Sequence, residues 1–67
     1  MTVTFNVYQA QIIRTLANSR RHLTTSQVAK FSGISYNTAM NHLLALYDLG
    51  YIQRNKSGNR IYWWVED

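Results

Sequence analysis

The feature that most constrains this sequence is the three-residue stretch Gly33-Ile34-Ser35, because it separates two segments that each carry helix signals at both ends. On the upstream side, Thr24 and Gln27 have capping-box spacing: a hydroxyl accepts from a free first-turn amide, and the glutamine side chain answers the cap residue's own N–H. A helix is therefore expected at about residues 25–32, running through Val28, Ala29 and Phe31 to Ser32-Gly33. Glycine can take the left-handed conformation that ends a helix there. On the downstream side, Ser35 is a good N-cap, since its hydroxyl can accept from the first-turn amides. Ala39, Leu43 and Leu46 then form an apolar stripe, and Gly50 sits where a C-terminal glycine belongs. This predicts a third helix over about residues 36–49.

Two helices joined by a short glycine-containing turn make a helix-turn-helix. Ahead of them, Asn6–Ser19 has helical periodicity, with Val7, Ala10, Ile13 and Ala17 at three- and four-residue steps and Ile12 and Leu16 beside them. Asn6 and Gln9 have capping-box spacing, with Thr4 as an alternative cap, so the first helix is expected at about residues 6–19. Arg20, Arg21 and His22 follow its end, where cations suit the helix dipole. The C-terminal part changes character: Tyr51–Arg54 and Arg60–Val65 are rich in β-branched and aromatic residues. They flank a polar connection, Asn55–Asn59, and read as a β-hairpin over about residues 51–65 with a five-residue loop. Ile61, Trp63 and Val65 would face the helices while Tyr62 and Trp64 point outward. A short strand at His22-Leu23 could join this sheet. The expected architecture is α+β, a single domain over residues 1–67 without repeats or linkers.

Composition narrows the functions open to such a domain. The chain has 67 residues, and its 46% apolar content suits one small core rather than a core plus a deep substrate pocket. It has no cysteine, which removes disulfide frameworks, CxxC zinc sites and thiol nucleophiles together. His22 and His42 lack a carboxylate cluster, and there is no GxxxxGK phosphate loop, so no catalytic or metal site and no cofactor are expected. No signal peptide or apolar run long enough to cross a bilayer is visible, and a cytoplasmic, nucleoid-associated protein without small-molecule ligand is expected. The formal charge of +4 favours a polyanionic partner.

From Leu23 to Val65 the chain resembles prokaryotic winged-helix transcriptional regulators of the MarR- and ArsR-like kinds. The matching stretches are Leu23–Ala29, Gly33-Ile34-Ser35, Thr38-Ala39, His42-Leu43 with Leu46, Leu49–Arg54 and Gly58–Trp63. The resemblance implies a three-helix winged helix-turn-helix with a C-terminal β-hairpin wing. It also implies sequence-specific binding of double-stranded DNA, with the third helix in the major groove and the wing on the flanking backbone or minor groove.

That mode would assign roles to individual residues. Tyr36, Asn37, Met40 and Asn41 lie on the face of the third helix away from its apolar stripe, beside Ser35 and Thr38 in its first turn. Asparagine can pair bidentately with adenine, and Tyr36 and Met40 could rest against thymine methyls or sugar. Many winged-helix regulators carry Arg or Lys in this helix, but Ser35 to Tyr51 holds neither, so the strongest guanine-reading contact is absent. Basic charge sits instead at Arg54, Lys56 and Arg60, which bracket the hairpin loop and form a candidate phosphate or minor-groove probe. Thr25 and Ser26 could bind phosphate at the start of the second helix or could simply cap it. His42 could donate to phosphate or pack internally. Leu44 and Tyr47 could enlarge the core or line a dimer interface.

A DNA-binding regulator and a protein-interaction module within a larger assembly both remain open, with Tyr62 and Trp64 suited to the second. A homodimer on adjacent half-sites is the expected assembly. It would use the first helix, the strand-like tail Met1–Phe5, or an aromatic surface around Tyr8, Tyr47 and Trp64.

Overall fold

Capping fixes where each helix begins. In this computed structural model, which describes residues 5–19 and 21–66, α1 spans Val7–Asn18, α2 Thr25–Ser32 and α3 Tyr36–Asp48. The Asn6 side chain accepts from the Gln9 amide at 2.7 Å and Gln9 Oε1 accepts from the Asn6 amide at 3.2 Å. Thr24 and Gln27 repeat the exchange at 3.2 and 3.0 Å. Ser35 Oγ accepts from the Thr38 amide at 3.2 Å. The tail residues 1–4, including Thr4, and the cation Arg20 lie outside the described residues.

The ends of α2 and α3 share one solution. The amides of Gly33 and Ile34 donate to the carbonyls of Lys30 and Ala29, and those of Gly50 and Tyr51 to Tyr47 and Leu46. This double bonding satisfies carbonyls the helix leaves unpaired, and it needs a left-handed residue in the middle. Gly33 with φ 70° and Gly50 with φ 85° supply it. The turn between α2 and α3 is thus held by backbone bonds on one side and the Ser35 cap on the other.

Three antiparallel strands follow the order β1-β3-β2, where β1 is Leu23–Thr24, β2 Gln53–Ser57 and β3 Arg60–Trp64. Leu23 lies opposite Trp63 and Thr24 opposite Tyr62, so the short strand ahead of α2 joins the sheet, one residue later than His22-Leu23. The hairpin is tighter than expected. Its strands run up to Ser57 and Arg60, leaving a two-residue turn, Gly58-Asn59, in place of a five-residue loop. Gly58 has φ 61° and Asn59 a negative φ, the sign pattern of a type II′ turn, whose twist matches the flanking strands. Strand pairing thereby captures Asn55, Lys56 and Ser57.

The core is built from Ile12 and Leu16 of α1, Leu23, Val28 and Ala29, Ala39, Leu43 and Leu46 of α3, Ile52, and Trp63 of β3. The inward stripe of α1 is therefore Ile12/Leu16, with Ile13 partly packed, whereas Val7 is 78% exposed and Ala10 and Ala17 also face outward. Two apolar stripes compete on this helix. The one four residues apart and bulkier at both positions wins the interior. Leu44 and Tyr47, three residues apart on one flank of that stripe, pack against the core, so this small domain draws on more of α3 than the stripe to cover it.

Trp63 is fully buried, and its Nε1–H donates to Thr25 Oγ1 at 2.8 Å inside the protein. Thr25 itself is only 3% exposed. The bond ties the central strand to the first residue of α2. Thr25→Val would keep the shape of the side chain and leave the indole N–H unpaired in the core, which costs about 1–3 kcal/mol. Urea unfolding is expected to show that loss for Thr25→Val and none beyond about 0.5 kcal/mol for the exposed neighbour in Ser26→Ala. Equal stability of the two variants would mean the bond does not hold the fold.

Candidate nucleic-acid interface

With Ala39, Leu43 and Leu46 buried, the 3.6-residue period fixes what the rest of α3 presents. Asn37, Asn41 and Asp48 fall within roughly 40° of one another on the side opposite that stripe, and all three are exposed. Asn37 and Asn41 are one turn apart, so their amides can address neighbouring positions on a ligand. Tyr36, Met40 and Tyr47 form a second stripe, turned toward the wing. Tyr36 is about half exposed. Met40 is half-buried and packs against the core, so less of its thioether is free to meet a base than expected. Ser35 and Thr38 are linked to each other, Ser35 Oγ donating to Thr38 Oγ1 at 2.8 Å, and this pair shapes the first turn as well as lining it.

Two grooves flank the wing. The first, about 340 Å³, brings together Ser26 and Gln27 at the start of α2, Tyr36 at the start of α3, and Asn59 and Arg60 at the wing tip. Residues from three separate elements thus converge beside the exposed N-terminal end of α3. The second, about 530 Å³, lies between Tyr47 of α3 and Arg54, Asn55 and Lys56 of β2.

The wing's three cations are divided rather than clustered. Directly opposed residues in an antiparallel ladder share a face. Arg54 opposes Trp63 and Lys56 opposes Ile61, so both rise from the face turned to the helices. Arg60 opposes Ser57 and shares the other face with Tyr62 and Trp64. The Arg54 guanidinium lies over the Tyr47 ring, 4.7 Å from its centroid. Lys56 and Arg60 stand nearer the turn and are exposed.

Several expected contacts move inward. Thr25 is buried and its hydroxyl accepts from Trp63, which turns it inward from the expected phosphate contact; Ser26 beside it is exposed. His42 stacks on Tyr8, ring centroids 5.5 Å apart, as a packed histidine would. Trp64 is covered by His22 at 3.9 Å, which leaves less of it for an outside partner. Tyr8 and Tyr47 do not share a surface either. Tyr8 meets α3 at His42, five residues or about 140° around the helix from Tyr47, and Tyr47 faces Trp63 and Arg54. Asn59 and Gln27 were missed as groove residues, although Gly58-Asn59 is itself a known two-residue hairpin signal. Among the described residues no helix is long and apolar enough to cross a membrane.

Comparison with known proteins agrees with this architecture. The structure superposes on a zinc-responsive MarR family member from Lactococcus lactis with a TM-score of 0.81 at 20% identity, over 100% of this chain and 47% of that one. It also superposes on a chain from a study of the DNA recognition and protein interaction domains of HOP2, with a TM-score of 0.78 at 19% identity, over 88% of this chain and 98% of that one. At such identities these likenesses bear on the fold, which is a winged helix-turn-helix, and the MarR likeness stops there. In sequence, the chain is 33% identical over 55 residues to an uncharacterized HTH-type transcriptional regulator of Methanocaldococcus jannaschii, a match that spans 82% of this chain and 13% of the relative. Residues 10–56, from within α1 to the next-to-last residue of β2, match the IclR helix-turn-helix domain. With most of its length so matched, the chain belongs to the IclR helix-turn-helix family and is a DNA-binding rather than a catalytic domain.

Proposed function

We propose that this chain reads double-stranded DNA with α3 in the major groove and the wing tip on the adjacent backbone or minor groove, as the DNA-binding part of a transcriptional regulator. The observation that carries the reading is the pairing of two exposed asparagines, Asn37 and Asn41, on the outward stripe of α3 with a groove at the same end of the helix. Ser26, Tyr36, Asn59 and Arg60 line that groove with hydroxyl, amide and guanidinium groups, the donors that phosphate oxygens accept. The similarity to an HTH-type transcriptional regulator supports the regulatory role.

The chemistry of α3 sets the preference. Asn pairs bidentately with the N6/N7 edge of adenine, and the ring of Tyr36 can cover a thymine methyl. With no Arg or Lys between Ser35 and Tyr51, guanine has no bidentate partner on this helix. Selection from random duplex DNA is expected to return A/T-rich half-sites. Asn37→Ala and Asn41→Ala should each relax preference at one position, by about 1–3 kcal/mol of discrimination. A G-rich consensus unaffected by both substitutions would overturn the assignment.

Since α3 carries no cation, most of the electrostatic affinity must come from elsewhere, and Lys56 and Arg60 stand nearest the wing tip. A contact to one phosphate steepens the dependence of log affinity on log salt by about one. The double variant Lys56→Ala/Arg60→Ala should therefore weaken binding to every duplex and flatten the slope by about two. An unchanged slope in fluorescence titrations against KCl would remove the wing from the interface.

A further inference from the structure

The geometry points to Arg54 as a positioning residue: it sets the angle of the wing against the recognition helix by lying over Tyr47, and it does not grip phosphate. The inference deepens the DNA-binding reading and rests on it. None of the five β2 side chains is buried and only Gln53 is half-buried, so beyond Ile52, which is buried just ahead of the strand, β2 is held by its ladder with β3. Strand β3 is flanked by β1 and anchored by buried Trp63, which leaves β2 as an edge strand of the sheet. Arg54 ties this edge strand to α3. Its Cβ leaves the ladder on the same face as fully buried Trp63, and its guanidinium lies 4.7 Å from the centre of the Tyr47 ring.

Tyr47 is itself fixed, with its ring edge-on to Trp63 at 6.5 Å and 77°. Trp63 is in turn bonded to Thr25. The path from β2 through α3 and β3 to the start of α2 is therefore continuous, and Arg54 is its outermost link. It also stands far from the turn: it lies four positions before Gly58, roughly 13 Å of extended chain, against half that for Lys56. A planar guanidinium stacks flat on an aromatic ring, which a lysine ammonium cannot do. Charge and stacking can therefore be separated by substitution at residue 54. Because α3 carries no cation, affinity depends on where the wing holds Lys56 and Arg60, and loss of its brace should be felt even though no contact to DNA is removed.

The test titrates a fluorescein-labelled A/T-rich duplex at several KCl concentrations, with thermal unfolding of each variant run alongside. Arg54→Ala is expected to weaken binding about two- to fivefold, the scale of an exposed cation–π contact, with the salt slope unchanged. Arg54→Lys keeps the charge and should behave like Arg54→Ala. Tyr47→Leu removes no charge and should give the same loss. Tyr47→Phe, which keeps the ring, should bind like the parent protein. The double variant Arg54→Ala/Tyr47→Leu should bind no more weakly than either single change. A slope lowered by about one in Arg54→Ala, restored together with affinity in Arg54→Lys, would make Arg54 a phosphate contact and overturn the proposal. If Tyr47→Leu does not fold, the contrast between Arg54→Lys and Arg54→Ala decides alone. Lys56→Ala in the same series tests the underlying reading. A lowered slope there, together with one in Arg54→Ala, sinks only the positioning role. No change of affinity or slope in Lys56→Ala, Arg54→Ala and Arg60→Ala alike sinks the DNA-binding mode, and the positioning role falls with it.

Discussion

A tryptophan buried in so small a protein must find a partner for its N–H, and the rest of this fold is arranged around the partner it found. Trp63 is fully enclosed, and Thr25 Oγ1 accepts its proton at 2.8 Å. An unpaired N–H at that depth would cost a large part of the stability available to a domain of this size. Satisfying it requires the first residue of α2 to sit against the middle of the central strand. That placement makes β1 and α2 continuous, with Leu23 and Thr24 pairing to β3 immediately before the helix begins. The wing and the helix-turn-helix are thereby held as one body, which lets Arg60 and Asn59 from the wing share a groove with Ser26 and Tyr36 from the helices.

The helices were legible because their ends are written in local chemistry. Capping at Asn6/Gln9, Thr24/Gln27 and Ser35 acts over three residues, and glycine at 33 and 50 answers a local need for positive φ. Such signals survive whatever the tertiary structure does. The stripe on α1 was less legible, because periodicity shows that apolar residues share a face but not which of two neighbouring faces finds the core. Ile12 and Leu16 met α2, α3 and β3; Val7 and Ala10 met solvent.

The hairpin and the candidate site depended on register, which composition does not specify. Asn55, Lys56 and Ser57 are polar and read as loop, yet ladder bonds to β3 and the Gly58 turn draw them into a strand. Once the register is known, the three wing cations separate onto two faces. Arg54 then belongs with Tyr47 and Trp63, while Arg60 belongs with the groove beside α3. Thr25 illustrates the same limit: its helix-start position suits a phosphate contact or a cap, and only the long-range bond from Trp63 places its hydroxyl in the interior.

The central claim is that α3 and the wing tip form one DNA-binding face, and backbone amide shifts followed while an A/T-rich duplex is titrated into labelled protein test it most directly. The largest shifts should fall at Ser26, at Ser35 through Asn41, and at Lys56 through Arg60. Val7, Tyr8 and Leu49, exposed but outside both grooves beside the wing, should stay near their free positions. Shifts concentrated at Val7, Tyr8 and Leu49, with α3's first turns and the wing tip unmoved, would contradict the account.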